Sequence, residues 1–203
     1  MNSSVAPAVL ASAPRYQPWA YPLHEFYLLA GLALPRIEAL PPEQVPEPYR
    51  TLLVHDRDMT PTLEAYHGAD LHLEVLRSYL RGEHYYREVV LHLEGNEQPV
   101  EFGANRINLN LFTCTARRLI LEEYVPLGRI LKDFNIRHAN HPKPFLRVAP
   151  DELIGQSLGL SGSPILYGRH NSMLDPQGRV LSEVVEILPP TVVNPGVGVF
   201  TKG

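Results

Sequence analysis

Three arginines of this chain fall where strand alternation sets them among apolar side chains. In 84–94 (HYYREVVLHLE), Tyr85, Arg87, Val89, Leu91 and Leu93 are spaced two apart. Side chains two apart on a strand share a face, so Arg87 stands on the apolar side. In 98–107 the same spacing joins Val100, Phe102, Ala104 and Arg106, and in 71–80 it joins Leu71, Leu73, Val75, Arg77 and Tyr79. A guanidinium does not give up its proton, and an unpaired buried charge is very costly. Each arginine therefore needs an anionic partner or a route to water. A neighbouring Glu or Asp would serve, as would a strand end that reaches solvent. Two arginines on neighbouring strands also suit a ligand, because a planar guanidinium grips a carboxylate through two parallel hydrogen bonds. The pattern leaves internal pairing and an anion-binding cavity both open. A bulge near Gly103 would reverse the facing of Arg106.

These residues need strands to hold them. The spacing predicts three, over 71–80, 84–94 and 98–107, with turns at Gly82-Glu83 and Gly95-Asn96. Links this short make successive strands antiparallel. Upstream, 23–34 reads as a short helix stopped by Pro35, and Pro41, Pro42, Pro46 and Pro48 make 36–48 a connector. Residues 49–56 are compatible with a helix. Asp58 or Thr60 can cap another over 61–67, ended by Gly68. Downstream, 115–124 and 127–134 look helical. Pro142, Pro144 and Pro150 then break the chain before a short helix at 151–155. A last hairpin pairs 164–173 with 180–188 about Asp175-Pro176-Gln177-Gly178, whose Pro and Gly suit a type I turn. The sum is an α+β fold, a single antiparallel β-sheet with helices packed on it. One domain is expected over 21–190, with loose tails at 1–20 and 191–203.

The 203 residues fit one domain with tails. A chain this long buries enough surface to fold without staples. The formal net charge of −4 argues against a general nucleic-acid surface, so no nucleic-acid partner is expected. The single cysteine, Cys114, cannot form an internal disulfide, which suits a reducing, cytoplasmic setting, and it reads as a small packing residue. No run approaches the ~20 apolar residues of a membrane span. Val5 to Ala13 is short, interrupted by Pro7 and preceded by no Lys or Arg, so a loose tail is expected rather than a signal peptide.

Taken in order, several segments resemble the chorismate lyase family. They are Leu52-Leu53 through Asp58-Met59-Thr60 with Leu63-Glu64, then Val75-Leu76-Arg77, Arg87-Glu88-Val89 with Phe102-Gly103, Pro126-Leu127-Gly128-Arg129-Ile130-Leu131, and Leu181-Ser182-Glu183-Val184. Together they span about 50–190. The resemblance implies a chorismate lyase-like fold and a carbon–oxygen lyase that removes pyruvate from chorismate to leave 4-hydroxybenzoate, a step of ubiquinone biosynthesis, without metal or organic cofactor. It implies that Arg87 binds the ring carboxylate and that the backbone at Met59 and Leu127 lines the site. Glu183 would meet the ring oxygen, giving Arg87 and Glu183 as the catalytic pair, with Arg106 near the side-chain carboxylate and Arg77 among the binding residues. The pattern departs at Ala104-Asn105, which separate Gly103 from Arg106. The last strand offers both Glu183 and Glu186, which point to opposite faces. The effector domains of some bacterial transcription regulators share this fold. A ligand-binding domain without catalysis is therefore the alternative, and a lyase acting on another carboxylated ring ether is a third reading. Those regulators carry an N-terminal DNA-binding domain, for which the first fifty residues here are too short and Pro-rich, so the enzyme is expected.

His138 and His141 have the spacing of a metal pair, but no third ligand is apparent and no metal is expected. Arg117-Arg118 and Glu122-Glu123 read as a solvated helix face with some pairing.

Overall fold

The protein is described by a computed structural model over residues 17–190. Helix α1 (Leu23–Leu29) is followed by strand β1 (Arg36–Leu40), α2 (Tyr49–Leu53) and α3 (Met59–His67). Three strands come next, β2 (Leu71–Arg81), β3 (His84–Leu93) and β4 (Pro99–Asn108). Then come α4 (Cys114–Leu121), α5 (Leu127–Asp133), β5 (Ala139–Ala149), α6 (Glu152–Ser157), β6 (Leu166–Leu174) and β7 (Val180–Leu188). Local chemistry sets several of these boundaries. Gly68 takes φ 68° to end α3, a left-handed cap that glycine adopts without strain. The Asp151 carboxylate accepts from the Ile154 amide and so caps α6. At the last hairpin, Asp175 Oδ1 accepts from the amides of Gln177 and Arg179, both at 2.9 Å.

All seven strands form one antiparallel sheet in the order β1-β5-β6-β7-β4-β3-β2. The α+β class with helices on a single antiparallel sheet is as expected. Two strands differ from expectation. Residues 36–40 form edge strand β1, and 139–149 form β5, although both lie in Pro-rich sequence. β5 tolerates Pro142 and Pro144 because its pairing with β6 is interrupted between Pro142 and Phe145. The domain also begins earlier than residue 21. Pro18–Ala20 make one 3-10 turn, and Ala20 is fully buried in the core. The stretch considered as a signal peptide and the remainder of both tails lie outside the described residues.

Helices cover both faces of the sheet. On one face, α1 and α6 pack on Tyr86, Val90, Phe102, Ala104, Val185 and Ile187. On the other, α2 and α3 pack on Val89, Leu91 and Leu93, and α4 and α5 on Tyr85, Ile107 and Val184. Nearly every residue of β3 and β4 is therefore buried, whichever way it points. Alternation within one strand still sorts its side chains, but it no longer says which apolar set belongs to which face.

Candidate functional site

Strand pairing places Arg87 opposite Asn105 of β4, which lies opposite Val184 of β7. Directly paired residues share a face, so these three stand beneath α3 and α5. The next row holds Val89, Gly103, Glu186 and Arg169, again by direct pairing. Glu101 follows, paired with Leu91. Between the sheet and the two helices is a cavity of about 40 Å³, lined by Arg87, Glu101, Asn105 and Glu186 from the sheet and by Asp58, Met59, Thr60, Leu127 and Gly128 from the helices. A buried water needs roughly 10–15 Å³ of such space, so the cavity is open to polar groups.

Arg87 is 1% exposed. Its one hydrogen bond runs from Nη1 to the Ile120 carbonyl at 3.5 Å, and Nε has no partner among the described residues. Burial pushes its pKa down to about 10, while Tyr85 and Glu123 act in the opposite sense. The guanidinium therefore remains charged at neutral pH. Glu123 Oε1 accepts from Ser78 Oγ at 2.9 Å and from the Tyr85 hydroxyl. Glu101, 4% exposed, leaves Oε2 without a partner. Burial first, then the nearby Glu186 carboxylate, raises its pKa well above the usual carboxylate range. The Glu101 carboxyl reaches over Gly103, where an added Cβ would lie 3.4 Å from Oε1.

The helix side is fixed by polar contacts. Asp58 Oδ1 accepts from His138 Nε2 and Asn140 Nδ2, each at 2.7 Å, and Asn171 donates to Asn140 at 2.8 Å. Burial works to raise the Asp58 pKa, but the bonds from His138 and Asn140 prevail and hold it below the ordinary value. The same pairing raises the His138 pKa. Gly128 lets α5 approach α3, since a Cβ there would stand 2.8 Å from Thr60 Oγ1.

Of the residues singled out in the sequence, Arg87, Met59 and Leu127 line this cavity. Arg106, Glu183 and Arg77 are on the opposite face. Arg106 pairs with Tyr86 and Glu183 in register, and its Nη1 lies 3.3 Å from Glu183 Oε2. Placing it with Arg87 is corrected: Arg106 shares its face with Phe102 and Ala104, which pack under α1 and α6. Gly103 pairs regularly, and the bulge of β4 lies at Val100. Arg77 changes face because β2 bulges at Leu76, and it bonds Glu88 Oε2 at 2.6 Å. Between the two glutamates of β7, Glu186 faces the cavity and Glu183 does not. The expected set lacked Arg169, Glu101 and Asn105. Arg169 alternates with Tyr167, Asn171 and Met173, the same signal that marked Arg87.

His138 is engaged by Asp58 and by the Ile136 carbonyl at 2.8 Å rather than by His141. Among the described residues no group of three or more His, Cys, Asp or Glu could hold a metal ion. No described helix is long and apolar enough to cross a membrane. Cys114, expected to pack, is exposed on α4.

No protein-family model matches the chain, and no curated protein matches it in sequence. Solved structures similar to it include the effector domain of PhnF from Mycobacterium smegmatis, at 12% identity and a TM-score of 0.49 over 65% of this chain and 88% of that one. Another is PhnF from the same organism, at 11% identity and 0.47 over 82% and 92%. A third is the GntR-family transcriptional regulator from Enterococcus faecalis V583, at 10% identity and 0.41 over 57% and 91%. Likenesses at these scores carry no argument about what this chain binds. The expectation of a carbon–oxygen lyase is nevertheless corrected. In this chain the expected catalytic pair is split, with Arg87 and Glu183 on opposite faces of the sheet.

Proposed function

We propose that this domain binds a small molecule through its carboxylate, with Arg87 as the clamp. The observation that carries the reading is a fully buried guanidinium that lines a cavity and is bonded to no carboxylate among the described residues. Burying such a charge unpaired is costly, and a ligand carboxylate removes the cost through charge-assisted hydrogen bonds. Met59 opens α3 at the cavity, and the first amides of a helix lack intrahelical acceptors, so a carboxylate held by Arg87 can accept from them as well. Apolar side chains of Leu73, Val89 and Met173 suit the carbon frame of the ligand.

The test is titration calorimetry with small monocarboxylates on the wild type and on Arg87→Met. A hydrogen bond to a charged group contributes about 1.5–3 kcal/mol, so the variant should bind roughly 10- to 150-fold more weakly. Equal affinity in the two proteins would reject the clamp.

A further inference from the structure

The sheet wall that carries Arg87 holds a second unpaired group, an acidic one. Glu101 and Glu186 converge there, but only one guanidinium, Arg169, stands with them. Its donors are already placed: Nε on Glu186 Oε2 at 2.5 Å, Nη1 on the carbonyls of His55 and Leu53 at 3.0 and 3.3 Å, and Nη2 on that of Arg57 at 3.1 Å. Glu101 is thus a carboxyl in excess, 96% buried and without a partner at Oε2, just as Arg87 is a guanidinium in excess. Because the Glu101 carboxyl folds over Gly103, it lies one row of the sheet from the row that Arg87 shares with Asn105. Rows on one face are two residues apart, roughly 7 Å. Val89, Leu91, Val184 and Met173 give the surface around them apolar stretches beside the Asn105 amide.

We infer that the ligand is a short ω-amino carboxylate, its carboxylate on Arg87 and its ammonium on Glu101, with methylenes along the apolar floor. This deepens the proposed carboxylate site and rests on it. A hydroxyl would supply Glu101 with one donor and no charge. An ammonium supplies three donors and a full charge, and it lets Glu101 ionise. A monocarboxylate satisfies Arg87 alone, whereas the zwitterion gives each of the two unpaired groups a charged partner. An α-amino acid carries both charged groups on a single carbon and is too short to reach from one row to the next.

The experiment is titration of the whole protein with δ-aminopentanoate, pentanoate, δ-hydroxypentanoate and α-aminopentanoate, repeated on Glu101→Gln. The wild type should bind δ-aminopentanoate at least tenfold more tightly than the other three. Glu101→Gln should lose that preference, and a cooperative thermal melt of the variant shows that it is folded. The wild-type series stands by itself if the variant fails to fold. If pentanoate and δ-aminopentanoate bind equally, or the hydroxy acid matches the amino acid, the inference is overturned and the Arg87 clamp survives. If none of the four binds, the clamp falls with it.

Discussion

Arg87 and Arg169 project from the same face of one sheet, both essentially without exposure, and among the described residues only Arg169 of the two is paired with a carboxylate. The difference predicts opposite responses to the same substitution. Arg169→Met strips Glu186 of its partner in a dry site, and breaking a buried pair costs about 3–5 kcal/mol, so Tm should fall on the order of 10 °C. Arg87→Met removes a buried charge that no carboxylate among the described residues bonds, and gives up one long hydrogen bond. Its Tm without ligand should hold or rise. Thermal melts of the two variants check this, and a loss at Arg87 as large as that at Arg169 would show that Arg87 is a structural arginine.

That contrast also separates what the sequence discloses from what it hides. Arg87 was legible because β3 alternates without interruption from Tyr85 to Leu91. Arg77 was not, because the bulge at Leu76 shifts parity and no Gly or Pro marks it. Arg106 and Glu183 were misplaced for another reason. With helices on both faces, Phe102 and Ala104 look as much like a core-facing set as Val89 and Leu91 do, and only strand register tells them apart. Glu101, beside Gly103, reads from sequence as an ordinary strand acid. Its significance comes from Glu186, which lies 85 positions later and reaches it only through the pairing of β4 with β7. The helices of the site were readable from Gly68 and the Pro126-Leu127 start. β5 was concealed by prolines that a bulge accommodates.

Gly128 should not tolerate a methyl group. A Cβ would fall 2.8 Å from Thr60 Oγ1 and 3.0 Å from Thr60 Cβ, so α5 or α3 must move away from the other. Overpacking of this kind costs about 1–3 kcal/mol. Gly128→Ala should therefore lower Tm by several degrees. It should also weaken carboxylate binding, since Met59 and Leu127 border the cavity from the same two helices. Unchanged melting and affinity would mean that the helix contact does not set the cavity.

Glu101 gives the domain a pH dependence of defined sign. Its folded pKa is raised, by burial and then by Glu186, above the ordinary 4.5. A group raised on folding contributes stability below its unfolded pKa and loses that contribution as pH rises through the folded value. Glu101→Gln keeps the shape and cannot ionise. The variant should be more stable than the wild type at pH 8, and the gap should narrow steadily toward pH 4.5. Melts across that range decide the matter, and a gap that widens on acidification would show that Glu101 is ionised and paired in the folded protein.

His138 provides the last test, because its pKa is also raised, chiefly by its hydrogen bond to Asp58 2.7 Å away. By the same linkage, the protonated His138–Asp58 contact stabilises the fold fully below pH 6.5, and that contribution disappears as pH rises through the raised value. His55, His67 and His84 have lowered pKa values and act in the opposite direction, so the raw melting curve mixes the two effects. The difference between wild type and His138→Gln isolates the first. It should be largest just below pH 6.5 and shrink on the alkaline side. Because Asp58 borders the cavity, the variant should lose ligand affinity over the same window in which it loses stability. A stability difference independent of pH would assign His138 a packing role and remove it from the electrostatics of the site.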